Sequence, residues 1–278
     1  MINIVLIGTP KFVIPFFEEI LNDKNFNIVS IITRAAKEKL KVSDISIWGK
    51  KKQLKVIESK NFNKDQEVME VLQKADVALV FAFGKIISKN MLSLPKNGFL
   101  NIHPSKLPDL RGPSPLQTAI LKGYKTSALT LMKMNEKMDE GDIISQKEFN
   151  INNNHNINVV MQKLGFWGPK WISEEIMKFL KNPILKKQDE TKATYCYLTK
   201  NEDYFITNEN ADEILRKIRA LGYVFLSVNG INIKCFLAKK ETSDFMLNQV
   251  SPVFLQFPGK KIMHVRNFLN GYKNKLTS

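Results

Sequence analysis

The chain has 278 residues, 44% of them apolar and 25% charged, so it can bury a sizeable core in two domains or one large one and is not compositionally disordered. A formal net charge of +15 points to a polyanionic partner. Two cysteines (Cys196, Cys235) and three scattered histidines (His103, His155, His264) give neither a disulfide framework nor metal-ligand spacing, so no metal is expected.

In chain order, residues 2–7 read as a fully buried strand, which Gly8-Thr9-Pro10 interrupts before a signal-peptide core can form. No run approaches the roughly 18 apolar residues of a membrane span, and a cytoplasmic protein is expected. Residues 12–21 carry helical spacing, 28–33 form a second strand, and a third lies near 54–57. A helix around 66–74 precedes the strand at 75–83, bounded by Gly84. After the Leu94-Pro95 turn, residues 98–102 form a strand that delivers Asn101, Ile102, His103 and Pro104 at its carboxyl end. Alternating strands and helices imply a parallel sheet with crossover helices, whose ligand sites gather at that edge.

Residues 127–134 and 143–149 read as two further strands around a charged turn containing Asp139. A polar loop at 150–158 leads to a helix over 159–180, with an interruption expected at Gly168-Pro169. Residues 183–200 look like an exposed connection. Short strands follow, with helices near 211–220 and 264–269. The expected division is a first domain over 1–188, a linker over 189–203 and a second domain over 204–278.

The charge is not evenly spread. Between Arg34 and Lys55 lie eight basic residues (Arg34, Lys37, Lys39, Lys41, Lys50, Lys51, Lys52, Lys55) against Glu38 and Asp44. After Asp244 no acid occurs, while Lys260, Lys261, Arg266, Lys273 and Lys275 do. Two separated basic regions fit a long anion better than a small one.

Asn101 and His103 sit in NIHPSKLPDLRGPSPLQ, and Asp139 in KMDEGD. These segments resemble the active-site motifs of the 10-formyltetrahydrofolate-dependent formyltransferases, in which an Asn-x-His at a strand end faces an aspartate from a later loop. Further landmarks follow the family's order: Gly8-Thr9-Pro10, Ser105-x-Leu107-Pro108-x-x-Arg111-Gly112, Pro115-x-Gln117, Met138-Asp139-x-Gly141-Asp142, Gln188-Asp189-Glu190 and Pro258-Gly259-Lys260-Lys261. Their combination is most similar to the members that formylate methionyl initiator tRNA.

The resemblance implies an α/β protein: a Rossmann-like catalytic domain with a mostly parallel sheet, then a smaller β-barrel of the OB-like kind that binds tRNA, which in this sequence departs from the family in looking shortened between Lys240 and Val253. It implies Asn101, His103 and Asp139 as catalytic residues. The co-substrate 10-formyltetrahydrofolate would lie against Phe83, Gly84, Lys85, Ile86 and Ile87, and against Ser105, Lys106, Leu107 and Pro108. Gly8, Thr9, Pro10, Arg34, Lys37, Lys39, Lys41, Arg111, Gly112, Lys260 and Lys261 would serve the tRNA substrate, and the protein would be a monomer. Arg111 either meets a substrate anion or makes a structural ion pair. A single glycine at position 8 is not the G-x-G-x-x-G fingerprint, so no NAD is expected.

The residue types suit formyl transfer in their own right. Amine attack on a formyl carbon builds charge on oxygen and releases a proton, so it needs hydrogen-bond donors and a base around one carbon. Asn101 and His103, alternate residues of an extended segment, point the same way. Two departures from the family stand out. Val42 to Lys52 (VSDISIWGKKK) replaces the usual substrate-loop neighbourhood, and Leu221-Gly222-Tyr223-Val224-Phe225 replaces a Trp-Pro-Gly region. A sugar-nucleotide N-formyltransferase, a glycinamide ribonucleotide formyltransferase, a formyltetrahydrofolate hydrolase and a non-catalytic tRNA-binding protein remain as alternatives.

Overall fold

The first apolar run forms β1 (Ile2–Gly8), buried from Ile4 onward, in a computed structural model that describes residues 1–36, 42–240 and 246–272. A 3-10 turn leads into α1 (Ile14–Asn22), and β2 (Phe26–Arg34), α2 (Asp44–Lys51), β3 (Val56–Ser59), α3 (Gln66–Gln73), β4 (Val77–Phe81), α4 (Lys89–Leu92) and β5 (Phe99–His103) follow. Then come α5 (Pro115–Leu121), β6 (Thr126–Lys133), β7 (Ile143–Asn150) and α6 (Ile157–Lys181). The strands make one seven-stranded sheet in the order β3-β2-β1-β4-β5-β6-β7, parallel from β3 to β5 and antiparallel at β6 and β7. β1 pairs with both β2 and β4, so the winding reverses there, and the carboxyl ends of β1 and β4 flank a crevice of the kind that binds ligands.

One face of this sheet is closed by α3, which Asp65 caps through Oδ1 contacts to the N–H groups of Glu67 and Val68. Val68, Val71 and Leu72 pack with Val5, Ile7, Ile32, Val80 and Phe99, each such burial being worth about 1.5–3 kcal/mol.

Two sequence expectations are corrected. α6 runs unbroken through Pro169. Gly168 is there for packing, since a Cβ at that position would lie 2.8 Å from the Phe16 ring. The basic segment after β2 is not all loop, because residues 44–51 form α2, capped by Ser43 Oγ accepting from Ser46 N–H.

The chain divides into two compact units, one of Met1–Pro115, Thr126–Asn150 and Met161–Cys196, the other of Leu116–Lys125, Ile151–Val160 and Tyr197–Ser278. Residues 194–196, read from sequence as exposed connection, pack into the first unit. Arg111 N–H donates to Thr194 C=O at 2.9 Å, and Cys196 N–H to Arg111 C=O at 2.8 Å.

The second unit holds α7 (Ala211–Leu221), β8 (Val224–Val228), β9 (Ile231–Lys239), β10 (Ser251–Gln256), β11 (Met263–His264) and α8 (Val265–Tyr272). Asn210 and Glu213 cap α7 reciprocally. Its four strands form an antiparallel sheet in the order β11-β10-β9-β8. Ile214, Ile218, Val224, Leu226, Ile233, Cys235, Leu255 and Phe268 make its core. β8 and β11 are the outer strands and do not pair with each other among the described residues. Among the described residues no helix is long and apolar enough to cross a membrane.

Candidate active site

Strand pleating puts Asn101 and His103 on one side of β5, and both are buried. His103 Nε2 lies 3.0 Å from the Leu110 carbonyl oxygen, which can only accept, so this nitrogen carries the proton. Nδ1 then faces the site, 3.6 Å from Asp139 Oδ1. Asn101 Nδ2 approaches the same oxygen at 3.4 Å, and the N–H of Gly112 donates to Asp139 Oδ2 at 2.9 Å. The three expected catalytic residues therefore meet around one carboxylate, although 35 residues lie between His103 and Asp139 in the chain.

Asp139 lies in the turn between β6 and β7 with φ of +55°, a left-handed conformation that aspartate tolerates better than most residues. Gln188 fixes that turn. Its Nε2 donates to the carbonyls of Asp139 and Gly141 at 2.8 and 2.7 Å, and its Oε1 accepts from Arg111 Nε at 3.0 Å.

Arg111 is fully buried, and its two terminal nitrogens form a bidentate pair with Glu190 at 2.9 and 2.7 Å. Glu140 lies 3.7 Å away, and the Tyr195 hydroxyl accepts at 3.4 Å. This corrects its place among the substrate-binding residues. The guanidinium is occupied by the protein's own carboxylates, and the structural ion pair is the reading realised. Its hydrogen bonds hold the Glu190 carboxyl below the ordinary range and the guanidinium above its own.

The loop from His103 to Gly112 is pinned from below. Thr130 Oγ donates to Ser105 C=O at 2.6 Å, and Gln146 Nε2 donates to Leu107 C=O at 2.9 Å and to Thr130 Oγ at 3.0 Å. Ser105 and Leu107 are buried, so of the folate residues expected here the exposed Lys106, paired with Glu148, and the half-buried Pro108 are the side chains open to solvent.

At the end of β4, Ala82 and Gly84 both have positive φ, +51° and +66°, and the chain stays exposed at Gly84, Lys85 and Ile86. Phe83 and Ile87 turn into the core instead, so they face this loop only through their backbone. Asn63 clamps the loop, its Nδ2 donating to Ile86 C=O and its Oδ1 accepting from Ser88 N–H, each at 3.0 Å. Arg34, at the end of β2, reaches the same place, with Nη1 3.6 Å from where a Cβ on Gly84 would stand. An exposed backbone beside apolar Ile86 and a cation suits a flat heterocycle carrying an acidic tail.

Gly8 pairs with Phe81, which sets Gly8-Thr9-Pro10 beside the start of that loop. Thr9 Oγ is buried and has no hydrogen-bond partner among the described residues. Lys37, Lys39 and Lys41 lie outside the described residues. The rest of that basic segment largely answers its own acids: Lys50 pairs with Glu58, Lys52 with Glu18 and Lys55 with Glu67. Lys260 and Lys261 are exposed on a turn of the second unit.

Sequence reasoning did not assign Gln188, Gln146 or Asn63 to the site. Each acts on backbone groups, which leave no residue pattern; for Gln188 the available signal was its place in Gln188-Asp189-Glu190.

Residues 2–176 match the family described as formyl transferase. A methionyl-tRNA formyltransferase of Ehrlichia ruminantium (strain Gardel) is 33% identical over 98% of both chains. That of Bacillus subtilis (strain 168) is 32% identical over 86% of this chain and 79% of its own. Among solved structures, a methionyl-tRNA formyltransferase from Clostridium thermocellum superposes with a TM-score of 0.63 at 18% identity, covering 95% of this chain and all of its own. An N-formyltransferase from Helicobacter canadensis, solved with folinic acid and dTDP-3-aminofucose, gives 0.65 at 19% identity, covering 95% of this chain and 99% of its own. These two likenesses are of fold.

Proposed function

The chain belongs to the methionyl-tRNA formyltransferase family, and from that premise we infer that it transfers the formyl group of 10-formyltetrahydrofolate to the α-amino group of methionine esterified to initiator tRNA. The observation that carries this reading is the convergence of Asn101 and His103, at the end of β5, on the carboxylate of Asp139 from the turn between β6 and β7.

When bound, 10-formyltetrahydrofolate supplies an activated formyl group. The exposed backbone of Gly84, Lys85 and Ile86, with Arg34 beside it, would hold the carrier. The attacking amine must be neutral, and it loses a proton as its bond to the formyl carbon forms. Asp139 takes that proton, directly or through water, and the proton passes on to the carrier nitrogen as its bond to carbon breaks. Charge building on the formyl oxygen needs donors. Asn101 Nδ2 has a second N–H free of Asp139, and His103 offers Nδ1–H when its ring is protonated. Losing one such donor typically lowers the rate about 100- to 1,000-fold.

In both basic regions, the cations not taken up by Glu18, Glu58 and Glu67 would serve the same substrate. Lysines and arginines there neutralise phosphates and make affinity fall with salt, while an unpaired acceptor end is read by shape and stacking.

The reading is tested by supplying the purified chain with 10-formyltetrahydrofolate and, in parallel, methionyl initiator tRNA, uncharged initiator tRNA, a sugar-nucleotide amine, or water alone. Formylation of methionyl-tRNA only is the expected result. Preference for the sugar amine, or formate release without an acceptor, would overturn it.

A further inference from the structure

The outer face of the second unit's sheet carries a cluster of aromatic side chains. On β8 and β9, Val224, Leu226, Ile233 and Cys235 turn inward to the core, which leaves Phe225, Asn232 and Lys234 on the other side, with Tyr223 just before β8. There the aromatics are ordered against one another. Phe205 stacks on Phe225 with ring centres 4.7 Å apart and planes inclined at 23°, and Tyr223 meets Phe225 edge-on at 5.5 Å. Lys234 Nζ stands 4.5 Å from the Tyr223 ring centre and 5.6 Å from that of Phe225, with no acidic partner among the described residues.

Beside this group lies a notch of about 240 Å³ lined by Phe225, Asn232, Lys234, Gln256, Phe257 and Pro258. It falls below the ~300 Å³ at which small-molecule pockets begin, which suits one ring rather than a whole ligand. Asn232 is exposed and makes no side-chain hydrogen bond among the described residues, and Gln256 uses Nε2 on Lys260 C=O while its Oε1 has no such partner. The charge is one-sided: residues 222–240 and 246–272 contain six lysines and arginines and no acid.

We propose that this notch is a stacking site for one unpaired RNA base. The base lies against the Phe225 ring, Asn232 and the Gln256 oxygen meet its polar edge, and Lys234 meets the adjoining phosphate. An aromatic face next to a cation and amides with open hydrogen-bonding capacity, on strands that carry lysines and no acid, together match single-stranded nucleic acid rather than an apolar or cationic partner. The proposal rests on the acceptor being RNA-borne, and it adds a contact to the bases that phosphate binding alone does not supply.

The test measures fluorescence anisotropy of the full chain with a short labelled single-stranded RNA and with the same backbone made abasic, at one salt concentration. Intact RNA should bind about tenfold to hundredfold more tightly than the abasic copy, the range for stacking one base. Phe225→Leu should remove that difference and leave abasic binding as it was, whereas Lys234→Met should weaken both. If Phe225→Leu melts early, Asn232→Glu, an exposed change that sets a carboxylate at the notch, should lower binding of intact RNA at least tenfold. Equal binding of intact and abasic RNA, or no binding of either, overturns the site. Formyl transfer on the same preparations separates the two claims. Transfer to methionyl-tRNA with no base-dependent binding sinks the stacking site alone, and base-dependent binding with no acceptor formylated sinks the reaction alone.

Discussion

The backbone N–H of Gly112 donates to Oδ2 of Asp139 at 2.9 Å, tying the loop after β5 to the turn between β6 and β7. Gly112 has φ of +117°, and a Cβ there would stand 2.3 Å from the Cys196 carbonyl oxygen. Gly112→Ala must therefore both strain the backbone and push this loop off the carboxylate. A loss of about 1–3 kcal/mol is expected from the conformation alone, together with a fall in formyl-transfer rate. Thermal melts and initial rates check both.

Gln188 is a positioning residue for Asp139. Gln188→Leu leaves the Asp139 and Gly141 carbonyls and Arg111 Nε without their partners, and kcat should drop about 10- to 100-fold, as when outer partners of active groups are removed elsewhere. Folate binding, followed by titration, should stay near wild type. Gln188→Glu keeps an acceptor for Arg111 but cannot donate to either carbonyl, so it should not rescue the rate.

Arg111 belongs to stability. Arg111→Leu removes a fully buried cation and its hydrogen bonds to Gln188 and Glu190. Breaking a buried pair costs about 3–5 kcal/mol, and because Glu190 is largely exposed and can return to water, the lower end is expected. Denaturant unfolding measures it. A variant as stable as wild type would show that the pair contributes nothing net.

In the second unit, burial would raise the Glu209 carboxyl, but hydrogen bonds from Lys217 and from the Thr207 N–H bring it down to about 2. A depressed carboxylate stabilises the fold above its unfolded value of 4.5, and that contribution is lost as pH falls through 2. Wild type should lose about 1–2 kcal/mol more than Glu209→Gln over this window once solvent screening is allowed for, read from urea midpoints at pH 6 and at roughly pH 2 to 3.

That Asn101, His103 and Asp139 are candidates for one site was legible because each member announces itself locally. Asn101 and His103 alternate at the end of an apolar strand, and Asp139 sits in a glycine-bearing turn between two strands. The parallel sheet was legible for the same reason, through apolar runs of strand length separated by helical spacing. What encloses the site was not. Gln188 reaches the Asp139 turn across 49 residues, and its targets are carbonyl oxygens that every residue possesses. Arg111 could be read either as a substrate cation or as half of a structural ion pair, and only packing shows that Glu190 covers it. At Gly168-Pro169 the dipeptide reads as a break, yet the glycine answers the Phe16 ring, a contact over 150 residues away. In the basic segment, lysines masked a helix whose Ser43 cap and inward Ile45 were present all along.

The most direct measurement is kcat/KM for formyl transfer from 10-formyltetrahydrofolate to methionyl initiator tRNA, in wild type and Asp139→Asn. Asparagine accepts the left-handed turn and can still receive the Gly112 N–H, so the change removes proton acceptance with little else. The account predicts formyl-methionyl-tRNA as the wild-type product and a loss of about 100- to 10,000-fold in the variant. A variant that formylates methionyl-tRNA at the wild-type rate would contradict it.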